Sequence, residues 1–276
     1  MRSLVSRGIP VRGASRNPRK AEQEYGHFQF VEFDYDRPDT FDAALADVSH
    51  VFMIVRPGDE HSDRTGVPFV RAMTNQGVKH VVLLSAMGAE SREDLALRKI
   101  ELAIESSGMS YTHLRPNWFM QVFSSGALMT AIREMDSIEI PAGSAKISFI
   151  DARDIAEAAE EALVNPIHQR RAYTLTGGEA LSYDEVAKIL SRATGKNIRY
   201  VDLDEQMARD RLKKAGFPPE WVERLIGFYQ LVREGFCSPI SNAISLVLKR
   251  QPRTFSDFAR DNAACWKKSE VEEVID

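Results

Sequence analysis

Arg16 and Lys20 stand four residues apart, directly after the β-rich run Ile9 to Ala14. At a helix start that spacing places a guanidinium and an ammonium one turn apart, a pair suited to a phosphate monoester. The plain alternative is two solvated cations. Asp34 follows the run Phe28 to Phe33, where a carboxylate either accepts from an amine or closes the strand through an Asx turn. Ser85 ends the run Lys79 to Ser85, and its hydroxyl at a strand terminus can orient a ligand. Arg98 and Lys99 are neighbours on a helical pattern, ~100° apart, so only one of them faces a cleft squarely. Pro116 stops the ladder after Ser110 to Leu114 and turns the chain outward, with Asn117 and Trp118 next. None of Tyr25, Tyr35, Tyr111, Tyr173, Tyr183, Tyr200 or Tyr229 has lysine four residues later, so a Tyr-x-x-x-Lys acid is absent.

Other chemistry is poorly supported. Cys237 and Cys265 lie outside any CxxC or Cys/His spacing and read as free thiols, His80 and His113 read as packed strand histidines, and no carboxylates show metal spacing. A formal net charge of −4 offers no general attraction to nucleic acid or anionic lipid. No stretch approaches the ~20 apolar residues that span a bilayer, and the expectation is a cytoplasmic protein.

The elements that must position these residues alternate. Ile9 to Ala14, Phe28 to Phe33, His50 to Val55, Lys79 to Ser85 and Ser110 to Leu114 are short β-rich runs separated by helix-length segments, the pattern of a parallel sheet covered on both faces. The apolar stripe Leu95, Ile100, Ala103, Ile104 predicts a helix over Ser91 to Ser107, stopped by Gly108. Beyond Pro116 the chain is mostly helical, with short strands near Lys146 to Ile150, Ala172 to Leu175 and Ile198 to Asp202. Ser182 and Glu185 form a capping-box pattern opening a helix to about Thr194, closed by Gly195. The fold class is therefore α/β, a Rossmann-type doubly wound sheet. Residues 1–150 form its core, and 151–276 are mainly a smaller, mostly helical substrate lobe with some segments returning to that core.

Such a sheet keeps its phosphate cradle in the turn after the first, central strand. No G-x-G-x-x-G or G-x-x-G-x-x-G occurs in the sequence, and Met1 to Gly8 reads as the last turns of the helix that follows such a loop. The expectation is that the first strand and its loop are missing, through a late start assignment or a lost site. A chain of this form should be less stable and bind dinucleotide poorly.

The motifs Ser15-Arg-Asn-Pro18, Phe33-Asp34, Leu84-Ser-Ala-Met-Gly88, Arg98-Lys-Ile-Glu101 and Leu114-Arg-Pro-Asn-Trp-Phe-Met-Gln121 occur in a familiar order. Pro141-Ala-Gly-Ser-Ala-Lys146, Asp151-Ala-Arg-Asp154, Tyr173-Thr-Leu-Thr-Gly177 and Pro252-Arg-Thr-Phe-Ser-Asp-Phe258 continue it. Together they resemble the NmrA-like, atypical short-chain dehydrogenase family over nearly the full length, near a bacterial subgroup similar to the ergot-alkaloid reductases. The resemblance implies NAD(P) binding. In a Rossmann fold Arg16, helped by Lys20, meets the adenosine ribose, where a guanidinium suits the 2′-phosphate of NADP over NAD. The family uses an acid at Asp34 against the adenine amine, and Val55, Ser85 and Pro116 complete the candidate cofactor set. Its long helix lies along the nicotinamide side, which makes Lys99 the candidate catalytic-face cation and Arg98 its rival, alongside Ser85 and Asn117. Leu97 stands where close relatives often carry histidine.

Two functions follow. One is an NADPH-dependent reductase of a small activated substrate, an iminium, quinone or enone. The other is a non-catalytic dinucleotide sensor that reports redox state to a partner.

Overall fold

The computed structural model describes residues 1–26, 28–56 and 58–267. Its strands are β1 (Arg12–Ser15), β2 (Gln29–Glu32), β3 (His50–Ile54), β4 (His80–Leu84), β5 (Ser110–Pro116), β6 (Ser137–Ile140), β7 (Lys146–Ile147), β8 (Arg171–Leu175), β9 (Leu181–Ser182) and β10 (Arg199–Asp202). Its helices are α1 (Arg2–Ser6), α2 (Pro18–Tyr25), α3 (Phe41–Leu45), α4 (Asp63–Asn75), α5 (Ala96–Ser106), α6 (Gly126–Met135), α7 (Ala152–Val164), α8 (Tyr183–Thr194), α9 (Glu205–Lys214), α10 (Pro219–Arg233), α11 (Ala243–Leu248) and α12 (Phe255–Asp261). Among the described residues, no helix is long and apolar enough to cross a membrane. The sequence pattern draws one line at residue 150. The structure divides into two compact units, and the chain passes between them after Arg115, Ile155 and Thr174.

The first unit, Met1–Arg115 with Ala156–Thr174, is a parallel α/β body. Its main sheet has the order β3-β4-β5-β8, with His50 opposite His80 and His80 opposite Ser110. β4 reads His-Val-Val-Leu-Leu, and Val81, Val82 and Leu83 are fully buried, as a strand covered on both faces requires. One face, carrying Met53, Val81 and Leu83, packs on Phe69, Val70 and Met73 of α4 and Ile100 and Ile104 of α5. Gly66 permits that packing, because a Cβ there would lie 2.7 Å from Ile100 Cδ1. On the other face His80 Nε2 lies 3.2 Å from the Ala162 carbonyl, and Thr112 Oγ1 donates to the His168 carbonyl at 2.8 Å. The sheet is thus doubly wound.

β1 and β2 form a separate parallel pair, and among the described residues no ladder joins β1 to β3. The two pieces meet at their carboxyl ends: Tyr35 Oη donates to the Ile54 carbonyl at 3.0 Å, and Arg56 pairs with Asp34 at 3.4 Å and with Asp36. Two element starts lie three or more residues from the sequence pattern. β1 starts at Arg12 rather than Ile9, since Pro10 offers no N–H to a ladder and the Ile9 N–H is held by the Leu4 carbonyl at 3.0 Å. α5 starts at Ala96 rather than Ser91, because Ala89–Ser91 is a 3₁₀ turn, Arg92 and Asp94 pair side by side, and Leu95 stays extended.

The second unit, Pro116–Ile155 with Leu175–Asp276, pairs β6 with β10 in parallel and β7 with β9 antiparallel. Ser182 Oγ accepts from the Glu185 N–H at 3.2 Å while Glu185 Oε2 accepts from the Ser182 N–H at 2.8 Å, the expected capping box, and Gly195 (φ +74) closes α8. Tyr183, Val186, Ala187 and Leu190 of α8 bury against Phe123, Phe149 and Phe255. Trp266 is fully buried and its Nε1 donates to the Phe123 carbonyl at 2.7 Å.

Candidate functional site

In the first unit the parallel strands bring Arg16 and Asp34 to the carboxyl end of the β1-β2 pair and Val55 and Ser85 to that of the main sheet, each directly or shortly after a strand end. Arg16 is exposed and makes no hydrogen bond or ion pair among the described residues. Lys20 lies in the first turn of α2, where Asn17 caps its N–H at 3.1 Å, and its ammonium is likewise exposed. Asp34 closes an Asx turn: its Oδ1 accepts from the Asp36 N–H at 3.0 Å and from Arg56 Nη2 at 3.4 Å, and Oδ2 meets no partner among the described residues. Val55 is buried at the end of β3.

Ser85 continues β4 by one residue, its N–H donating to the Leu114 carbonyl at 2.7 Å. The side chain is buried, and Oγ has no hydrogen bond of normal geometry. Leu83 is opposite His113 in the ladder, so by the two-residue alternation of a strand Ser85, His113 and Arg115 share one face of the sheet. That is the face covered by α5, where four charged groups converge. Glu101 has no exposed surface; its Oε1 accepts from Arg115 Nε at 2.9 Å, and its Oε2 accepts from Arg115 Nη2 at 2.8 Å and Arg98 Nη1 at 2.9 Å. Arg98 also reaches Glu105 at 2.8 Å, and Glu105 lies 3.3 Å from His113 Nε2. Burial, the strongest single influence on Glu101, raises its pKa. The Arg115 fork, the Ser85 hydroxyl, His113 and Arg98 together outweigh it, so the carboxyl is held below its ordinary value and stays ionised. Burial pushes the His113 pKa down, keeping the ring neutral at pH 7.

α5 separates the two rival cations. Arg98 faces the network, with only 18% of its side chain exposed, whereas Lys99 is 48% exposed and pairs with Asp63 of α4 at 3.2 Å. Lys99→Ala should therefore cost less than ~1 kcal/mol of stability, as an exposed pair. Arg98→Ala should cost ~1–3 kcal/mol, since it leaves charged acceptors short of a donor. Urea unfolding of both variants checks this, and an equal loss would mean that α5 is rotated from the face described.

Asn117 belongs to the second unit. Its N–H donates to the Leu175 carbonyl at 2.9 Å, and Nδ2 donates to Ser148 Oγ at 2.8 Å and the Cys237 carbonyl at 2.7 Å, so both amide hydrogens are spent there. Pro116 ends β5 and is buried. The sequence reading missed the network formed by Glu101, Glu105, His113 and Arg115. One signal was available: Arg98, Glu101 and Glu105 recur at helical spacing beside the apolar Ile100 and Ile104. Glu101, Glu105 and His113 also come within metal-ligand reach of one another, but Arg98 and Arg115 already balance the two carboxylates.

The sequence profile of the NmrA-like family matches residues 1–259. An NAD(P)H azoreductase of Xenophilus azovorans is 32% identical over 271 residues, covering 96% of this chain and 94% of the relative. An agroclavine dehydrogenase of Claviceps fusiformis is 32% identical over 259 residues, covering 93% and 89%. Among solved structures, the triphenylmethane reductase of Citrobacter sp. complexed with NADP(H) matches 95% of this chain and 94% of its own with a TM-score of 0.84, at 22% identity. At that identity the match speaks for a common fold.

Proposed function

Because this chain belongs to the NmrA-like family, we propose that it is an NAD(P)H-dependent oxidoreductase of small activated substrates. The observation that carries this reading is the carboxyl end of the parallel strands, where ligands of open α/β folds bind and where, among the described residues, Arg16 stands without a partner and Ser85 Oγ is buried without one. The azoreductase and agroclavine dehydrogenase relatives support the reaction class. The residues present fit the two ends of a dinucleotide. Arg16, helped by Lys20 at the N-terminus of α2, suits the 2′-phosphate of NADP, Asp34 Oδ2 suits the adenine amine, and Val55 and Ser85 suit the nicotinamide side. No glycine loop in this sequence supplies N–H groups to the pyrophosphate.

When bound, such a cofactor supplies a hydride. The chain's own part is to bind, orient and exclude water, because it has no Tyr-x-x-x-Lys acid. Iminium ions, quinones and enones fit that economy; an iminium accepts hydride with no acid at all. Lys99 and Asn117 are lesser candidates: Lys99 would have to leave Asp63, and Asn117 has only its Oδ1 to offer.

Fluorescence titration with NADPH and NADH, followed by turnover over a panel of quinones and iminium salts, tests the proposal. Binding should be weak for want of a glycine loop, but NADPH should bind more tightly than NADH, and Arg16→Ala should remove most of that difference. Equal affinities in the unsubstituted protein would sink the assignment of Arg16. A dinucleotide sensor is the second reading, favoured by the missing tyrosine acid, and it predicts binding without turnover on any member of the panel.

A further inference from the structure

We propose that Tyr229 is the proton donor of the reaction, so that the second unit serves conjugated carbonyl acceptors, enones and quinones, rather than iminium ions. The inference rests on the reductase reading above and deepens it. No tyrosine here belongs to a Tyr-x-x-x-Lys pair, yet tertiary packing alone can set a phenol beside an acceptor. The seven tyrosines differ in what their hydroxyls have left to give. Tyr35 Oη donates to the Ile54 carbonyl at 3.0 Å, Tyr173 Oη is held at His168 Nδ1 at 2.9 Å, and Tyr200 Oη donates to the Ile140 carbonyl at 3.2 Å. Tyr183 is 1% exposed, Tyr25 stands in solvent at the end of α2, and Tyr111 lies at the amino end of β5. Tyr229 remains: it is half-buried, and among the described residues its Oη makes no hydrogen bond.

Its ring centroid lies 5.5 Å from that of Trp118 with 31° between the planes, and Trp118 comes two residues after Pro116, the end of β5. Each ring is fixed by its own element. The Trp118 carbonyl accepts from the Ile150 N–H at 2.9 Å, and Asn117 beside it donates to the Leu175 and Cys237 carbonyls at 2.9 and 2.7 Å. On α10, Tyr229 shares a face with the buried Val222 and Ile226, and Arg233, one turn on, donates to the Pro141 carbonyl at 2.9 Å and to Asp202 at 2.8 Å. Trp118 and Tyr229 still keep part of their surface open, so a flat acceptor meets two aromatic rings and one O–H that is not spent on the protein. Burial pushes the phenol's pKa above its ordinary value and keeps the proton in place. With an enone, hydride from the dinucleotide adds to the β-carbon, the C=C pair moves to join the α-carbon to the carbonyl carbon, and the C=O pair goes onto oxygen. The Tyr229 proton joins that oxygen to give an enol, and the phenolate takes a proton back from water. The enone gains two electrons and the dinucleotide loses them. An iminium carbon takes hydride directly to a neutral amine, so the same O–H does nothing for it.

Tyr229→Phe in the full chain removes the O–H and keeps the ring against Trp118. At one fixed NADPH concentration its turnover of cyclohexenone should fall about a hundredfold, the scale of a lost general acid, while turnover of a cyclic N-alkyl iminium salt and the affinity for NADPH stay unchanged. A binding measurement without NADPH reads the hydroxyl separately. Dialysis against para-nitrophenolate, a flat oxyanion, should show about tenfold weaker binding to the variant, the scale of one hydrogen bond to a charged group. Should the variant fail to fold, heavy water decides in the unsubstituted protein: enone turnover should slow there and iminium turnover should not. Equal losses on enone and iminium, unchanged enone turnover, equal binding of para-nitrophenolate, or no difference between the two substrates in heavy water would overturn the donor role while the reductase reading stood. Turnover of no acceptor at all would overturn the reductase reading and this inference with it.

Discussion

Glu101→Gln is expected to lower the unfolding free energy by ~3–5 kcal/mol, the usual scale when one partner of a buried ion pair is removed and the other is left uncompensated. Glu101 is fully buried and is the one carboxylate shared by Arg98 and Arg115, so its loss takes the main counter-charge from both, leaving Arg98 with Glu105 at 2.8 Å and Arg115 with the longer Glu90 contact at 3.4 Å. Urea melts with an unchanged slope would register the loss as a shift of midpoint. A shift below about 1 kcal/mol would show that water reaches the network and screens it. The same residues set the acid limb of stability. The folded-state pKa of Glu101 lies below its ordinary value of 4.5, so its contribution is complete above that value and is lost as pH falls through the folded pKa. His113 and His80 are buried neutral, with folded pKa values below the ordinary 6.5. The unfolded chain takes up protons there first, and stability should begin to decline gently below about pH 6.5 and more steeply below about pH 4.5.

Trp266→Ala should be as damaging, at ~3–5 kcal/mol, and its effect should fall on the second unit. The indole is fully buried, its ring lies edge-on to Phe258, and its N–H holds the Phe123 carbonyl. Phe123 ends the 3₁₀ turn Met120–Phe123 that follows the segment from Pro116, so the tail and that turn are tied by one side chain. Trp266→Phe separates the two contributions. It retains most of the buried ring but leaves a carbonyl without its donor, an expected cost of ~1–3 kcal/mol. Equal losses for the Ala and Phe variants would place the whole effect in the hydrogen bond and refute the packing argument.

Strands β2 to β5 were legible because each carries β-branched or aromatic residues, which β1, Arg12–Ser15, does not, and His80–Leu84 lies within one residue of where the pattern put it. The α8 capping box was legible because both of its partners are local in sequence. Boundaries moved where a local detail outweighed the pattern, as at Pro10 and at the Arg92–Asp94 pair. The edge positions of Arg16 and Ser85 followed from strand order alone. The Glu101 network did not, because it joins α5 to β5 through residues whose apposition depends on helix rotation, and a buried glutamate looks in sequence like any solvated one. Lys99 was preferred to Arg98 on a family expectation, and the rotation of α5 gives Arg98 the inward face.

The break between β1 and β3 leaves four terminal strands in the first unit where a continuous sheet would have two. On such a strand alternate amides face away from the neighbour. Transferred to heavy water, the molecule carries a spatial record of that break. Amides of β4, flanked on both sides, trade their hydrogens only in rare openings, while the outward amides of β1 and β3, beside the partly exposed Phe52 and Ile54, trade theirs without any opening. A peptide mass spectrum taken after seconds would therefore read deuterium along the chain as heavy, heavy, light, with the change falling between Ile54 and His80.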